Sequence, residues 1–138
     1  MQHILARPFY VGCEERCHNE GRVIFKLIDE ASWRAAEARG RFEGSAVDRR
    51  DGYIHFSTAS QVTETAARHF AGQTGLLLVA VSADALGDAL RWEPSRGGDL
   101  FPHLYGDLPM AAVCSVAPLP LDAEGRHVFP RLGDPPAG

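Results

Sequence analysis

Leu76-Leu-Leu-Val-Ala-Val81 is the longest unbroken apolar run in the chain, six residues of strand length. A run with no polar alternation predicts a central strand buried on both faces. Working outward, Arg22-Val-Ile-Phe-Lys-Leu-Ile28 is a β-branched and aromatic stretch bounded by Gly21 and Asp29, and reads as a second strand. Asp29 or Ser32 then caps a helix that carries Trp33 and Ala36 inward and stops at Gly40. Phe42 to Asp51 reads as a polar loop, and Gly52-Tyr-Ile-His-Phe56 as a short strand after it. Thr58-Ala-Ser-Gln61 matches a capping box, with Val62, Ala66 and Phe70 following at steps of four, so a second helix starts here and ends at Gly72. Leu90–Glu93 and Ala111–Ala117 are further strands, whereas Pro102 excludes a central strand position for Asp99–Gly106 and suggests an edge or loop segment. With about five strands and two early helices, the expectation is an α+β fold of small mixed or antiparallel β-sheets.

The chain has 138 residues, the size of one domain. Order is expected over residues 22–119, with 1–21 as an N-terminal arm and 120–138 as a C-terminal tail. The formal charge is −4, and Lys26 is the one lysine among 14 basic residues. Duplex binding needs a surplus of cations to neutralise phosphates, so DNA is not an expected partner. A membrane-spanning helix needs about 20 apolar residues, far more than the longest run here. Ile4-Leu5 and Phe9-Tyr10-Val11 are broken by Arg7 and Pro8 and form no secretory segment, which leaves the cytoplasm as the expected location. Cys13, Cys17 and Cys114 do not read as a disulfide framework, and the closely spaced Cys13 and Cys17 read as reduced thiols in the arm. Cys13-x-x-x-Cys17-His18 lacks a fourth ligand, and no metal site is expected.

Chemistry-bearing residues gather in three segments. In Asp48-x-x-Asp51-Gly-Tyr-Ile-His55-Phe-Ser57-Thr58, a strand histidine runs directly into a helix start whose free amides favour an anion or a ribose oxygen. His55 alternates with Ile54 and Phe56 and therefore points to the opposite face. The competing structural reading has His55 half-buried on a neighbouring carbonyl, with Ser57 and Thr58 as plain caps. In Trp92-Glu93-Pro94-Ser95-Arg96-Gly97-Gly98, desolvation beside an aromatic would raise the Glu93 pKa and suit it to acid–base work, against an exposed carboxylate before a turn. In Phe101-Pro102-His103-Leu104-Tyr105-Gly106, two aromatics and a histidine around a proline make a stacking wall for a flat ring, or else a plug over a sheet edge. No Gly-x-Ser-x-Gly supports a serine hydrolase.

At these segments the chain resembles a family of small bacterial proteins catalogued as a domain of unknown function, sometimes labelled glutathione S-transferase-related. The matching stretches are Arg41-Phe-Glu-Gly-Ser-Ala-Val-Asp48, Asp51–Thr58 with Ala59 and Gln61, Glu93 with Arg96-Gly-Gly98, and Phe101–Gly106. That family looks like a minimal relative of the ADP-ribosyltransferase fold, in which two small sheets form a cleft for NAD. The resemblance implies that His55, Glu93 and Tyr105 are catalytic: His55 with Ser57 on the ribose, Tyr105 stacked on nicotinamide, Glu93 on a ribose hydroxyl. Asp48, Ser57, Thr58, Gln61, Arg96, Phe101 and His103 would contact substrate. NAD or an ADP-ribose-like nucleotide would then enter as substrate rather than as a resident cofactor, for ADP-ribosyl transfer or glycohydrolase chemistry. The order of Glu93 before Tyr105 departs from the usual histidine, tyrosine, glutamate pattern. The rival reading is a non-catalytic ligand-binding or interaction module with the same cleft.

Overall fold

The computed structural model describes residues 22–130 and residue 132. Among them the order is β1 (Val23–Asp29), α1 (Glu30–Arg39), β2 (Arg41–Phe42), α2 (Ala46–Asp51), β3 (Ile54–His55), α3 (Ala59–His69), β4 (Leu76–Ser82), β5 (Leu90–Pro94), β6 (Leu100–Leu104), β7 (Leu108–Pro109) and β8 (Val113–Pro118). Two three-stranded sheets, β1-β4-β8 and β3-β6-β5, and the pair β2-β7 form, with every pairing antiparallel. The fold is α+β.

β4 lies between β1 and β8 and is buried along its whole length, as its apolar run predicts. Strand alternation sends Leu77, Val79 and Val81 into one core with Ile24, Ile28, Trp33 and Phe42, and Leu76, Leu78 and Ala80 into another with Phe25, Leu27, Val62 and Ala66. α1 therefore serves one core and α3 the other. Asp29 caps α1 by accepting from the Ser32 amide at 2.9 Å, and Gly40 closes it in the left-handed region. At the start of α3 the Gln61 carboxamide accepts from the Thr58 amide at 3.0 Å. α3 ends at His69, with Phe70 as its C-cap; Gly72, expected as the stop, lies in the turn beyond.

Three expectations are corrected. The loop expected over Phe42–Asp51 contains α2, because Ser45 and Asp48 form a capping box: Asp48 Oδ2 accepts from the Ser45 amide at 2.9 Å and Ser45 Oγ accepts from the Asp48 amide at 3.3 Å. The strand expected over Gly52–Phe56 is only Ile54–His55, and three of the eight strands are two-residue pieces invisible to a pattern search. Pro102 sits in β6, the central strand of its sheet, rather than at an edge. The reason is local. Pro102 accepts from the Phe56 amide at 3.0 Å but has no N–H to return, so β3 stops there. The chain then crosses to β1, where Ser57 and Phe25 exchange both backbone bonds at 2.7 and 2.9 Å.

The expected arm, residues 1–21, lies outside the described residues, and with it Cys13, Cys17 and His18. Cys114 is disulfide-bonded, which corrects the expectation that the cysteines form no disulfide framework. Past β8, an isolated bridge joins Leu121 and His127, and His127 Nε2 donates to the Gln73 carbonyl at 2.8 Å. Phe129 and Leu132 pack on the α3-side core. No helix among the described residues is long and apolar enough to cross a membrane.

Gly44 has φ +105°, and a Cβ there would lie 3.0 Å from Asp48 Cβ. A Gly44→Ala substitution is expected to destabilise the protein by at least about 1 kcal/mol, read as a lower urea midpoint at unchanged slope.

Candidate functional site

Asp48, at the first turn of α2, is 2% exposed and binds four groups. Lys26 Nζ lies 2.9 Å from Oδ2 and 3.1 Å from Oδ1, the His55 amide donates at 3.1 Å, His55 Nδ1 at 2.6 Å and the Ser45 amide at 2.9 Å. Burial by itself would push the Asp48 carboxyl up. The His55 hydrogen bond, the Lys26 charge and the Ser45 amide outweigh it and hold Asp48 well below the usual carboxylate range. Burial pushes Lys26 down against the opposing pull of Asp48. Lys26 reaches this place because it alternates onto the face of β1 that carries Ile24 and Ile28, and its Nζ lies 5.9 Å from the centre of the Phe42 ring.

His55 points away from the buried Ile54 and Phe56, as the alternation predicts. Its partners are carboxylates rather than a backbone carbonyl: Nδ1 faces Asp48 and Nε2 faces Asp51 Oδ2 at 2.9 Å. A carboxylate only accepts, so the ring nitrogen is the donor in each contact it fills.

Directly opposite His55 in the β3–β6 ladder stands His103, 4% exposed, whose Nδ1 donates to Glu93 Oε1 at 2.7 Å. Tyr105 Oη donates to the same oxygen at 2.8 Å. These two bonds, His103 first, hold Glu93 below its ordinary value, which corrects the expectation of a desolvated carboxyl with a raised pKa. Tyr53 joins the two halves. Its ring stacks on His103 at 4.1 Å, lies 4.7 Å from His55 and 5.2 Å from Tyr105.

A cleft of about 660 Å³ borders this cluster. Lys26 of β1, His55 and Ser57 after α2, and Phe101 and His103 of β6 line it, together with the apolar Phe70 and Leu76. Of the sequence candidates, Asp48, His55, Ser57, Phe101 and His103 line the cleft, while Glu93 and Tyr105 are not among the lining residues. Thr58 and Gln61 serve the helix start: Thr58 Oγ1 shares a hydrogen with Ser60 Oγ at 3.2 Å, and Gln61 Nε2 donates to the Leu100 carbonyl at 2.9 Å. Arg96 stands in a turn over Arg96–Gly98, and its side chain lies outside the described residues. No group of three or more His, Cys, Asp or Glu among the described residues is arranged to hold a metal ion. Sequence reasoning missed Lys26, Asp51 and Tyr53 as site residues. The one signal for Lys26 was a single lysine placed inside an apolar strand.

Asp48→Ala would strand the buried Lys26 charge and is expected to cost about 3–5 kcal/mol in urea unfolding. Because the Asp48 pKa is lower folded than unfolded, the unfolded chain binds the proton first as pH falls. Its contribution is complete above the ordinary aspartate value of about 3.9 and is lost as pH falls from there through the folded value. Unfolding free energies measured from pH 6 down to pH 2.5 should fall more steeply in the parent chain than in Asp48→Asn.

A family model described as "Protein of unknown function (DUF952)" matches residues 27–116. The crystal structure of protein CC0527 from Caulobacter crescentus is 53% identical, covering 77% of this chain and 93% of that one, with a TM-score of 0.75. The solution NMR structure of CC0527 is 54% identical, covers 75% and 90% of the two chains, and has a TM-score of 0.69. No curated protein matches the chain. The matched span runs from β1 to β8 and takes in both histidines and both carboxylates that hold His55, so the chain belongs to the DUF952 family.

Proposed function

We propose that the cleft binds an NAD- or ADP-ribose-like nucleotide, and that ADP-ribosyl transfer or glycohydrolysis is the chemistry it serves. The supporting observation is the placement of His55 and Ser57 on one wall of a cleft of about 660 Å³ bordered by two small sheets. Pockets for small ligands run from about 300 to 1,000 Å³, with apolar walls and a few converging polar groups. Phe70, Leu76 and Phe101 supply the apolar wall here; Ser57, His55 and His103 supply the polar one.

In this reading His55 keeps its Nδ1 contact to Asp48 while Nε2 exchanges Asp51 for a ribose hydroxyl, and a ring held in place this way lowers the cost of reaching the reactive geometry. Cleavage of the nicotinamide–ribose bond develops positive charge on the sugar, which nearby carboxylates stabilise in a water-poor cleft. Asp51, on the cleft wall, is placed for that part. Glu93 acts one step back, holding the ring of His103. The rival, a binding module without chemistry, is favoured by one observation: Glu93 and Tyr105 already satisfy each other.

NAD and ADP-ribose at 100 times their Kd should stabilise the parent chain by about 2.7 kcal/mol, seen as a rise in Tm, and His55→Ala should lose most of that rise. Absence of any shift with NAD, ADP-ribose or nicotinamide would sink the nucleotide reading. A shift without turnover of NAD would favour the binding module.

A further inference from the structure

Two of the imidazoles that line the cleft are tied differently. His55 contacts a carboxylate through each nitrogen. His103 is tied through Nδ1, which donates to Glu93 Oε1 at 2.7 Å, and among the described residues its Nε2 carries no hydrogen bond. No side-chain nitrogen or oxygen among the described residues is both sealed from solvent and unpartnered, so the Nε2 edge of this otherwise buried ring opens outward, and the space that His103 lines is the cleft. The ring is held in that pose from several sides. Tyr53 stacks on its face at 4.1 Å, Tyr105 Oη holds the same Glu93 oxygen at 2.8 Å, and Arg91, opposite His103 in the β5–β6 ladder, lies 4.9 Å from the Tyr105 ring centre. Because a carboxylate only accepts, the hydrogen of the neutral ring sits on Nδ1, and Nε2 keeps a bare lone pair. Ser57 supplies a second acceptor. Thr65 Oγ1 gives its hydrogen to the Gln61 carbonyl at 3.1 Å, so Ser57 Oγ is the donor in its 3.1 Å contact with Thr65, and its own oxygen still accepts. Two buried acceptors lining one cleft suit a ligand that brings O–H groups to it.

We infer that His103 is the proton acceptor of the cleft: its Nε2 takes the proton of a water molecule that attacks the bound ligand, with Glu93 and Tyr105 as positioning residues. The identity of that ligand rests on the nucleotide reading above, whereas the acceptor does not. With NAD bound, the nicotinamide–ribose bond breaks and its electron pair goes to the pyridine nitrogen, so nicotinamide leaves uncharged. The oxygen of water bonds the ribose carbon, one of its protons goes to Nε2, and His103 passes that proton to solvent. The products are ADP-ribose, nicotinamide and one proton, and no oxidant or reductant is consumed. Nδ1 keeps its bond to Glu93 throughout, and the ionised carboxylate stabilises the imidazolium that forms.

The test has two arms, both on the full chain. Nitrogen-15 NMR of the histidine rings at mildly alkaline pH, with no ligand added, reads which nitrogen carries the hydrogen; His103 with its hydrogen on Nδ1 and a bare Nε2 is the expected result. NAD hydrolysis and ADP-ribose binding are then compared in the parent chain and in His103→Asn, whose amide can replace Nδ1 against Glu93 while nothing replaces Nε2. The turnover number should fall by about 100-fold or more, the scale of general-base catalysis, with the ADP-ribose Kd unchanged. Added imidazoles should restore turnover to His103→Ala in the order of their basicity, which a ring with a merely structural role would not do; circular dichroism checks the folding of both variants. A hydrogen on Nε2 in place of Nδ1, full turnover in His103→Asn, or NAD that binds the parent chain without being cleaved overturns the inference. The expected tautomer in a chain that binds neither NAD nor ADP-ribose upholds the acceptor and overturns the nucleotide as its ligand.

Discussion

A carboxylate removed from water has to be matched by charge and hydrogen bonds, and the site is organised around that requirement at Asp48. Lys26 brings β1, His55 brings β3 and the Ser45 amide brings the start of α2 to one side chain. Each partner is held by its own element, so the carboxylate ties three pieces of chain to one point. Gly44 belongs to the same constraint, since its missing Cβ leaves the room that Asp48 occupies.

The second constraint is the proline in β6. By ending β3 after two residues it frees the chain to cross to β1, and the cleft borders this crossing. His55 and His103 stand opposite one another just before it, bridged by the Tyr53 ring. Two imidazole–carboxylate pairs thus flank one tyrosine beside a cavity large enough for a nucleotide. Their bonds keep the rings in fixed orientations, which suits selective binding as much as it suits catalysis.

Much of the frame was legible in the residues. The apolar run at Leu76 marked the central strand, the Asp29 and Thr58 caps marked two helices, and the alternation around His55 gave its direction. α2 escaped notice because its six residues show no apolar period and its box closes with Asp48 rather than the commoner Glu or Gln. Glu93 was misjudged because Trp92 is its neighbour in sequence, while the groups that govern its charge, His103 and Tyr105, arrive from β6 and the residue beyond it. Tyr53 looked like a turn residue next to Gly52, and only the pairing of β3 with β6 lays its ring on His103.

Periodicity and capping act over three or four residues, so the sequence by itself determined the α+β class, the buried strand, the two longer helices and the local direction of His55. Partners 22, 10 and 12 residues apart decide the rest: Lys26 with Asp48, His103 with Glu93, and Tyr105 with Glu93. Those contacts exist only once strands from different parts of the chain are in register. Tertiary structure alone therefore decided which charges are buried, which histidine nitrogens are engaged, and that the one lysine faces a cleft.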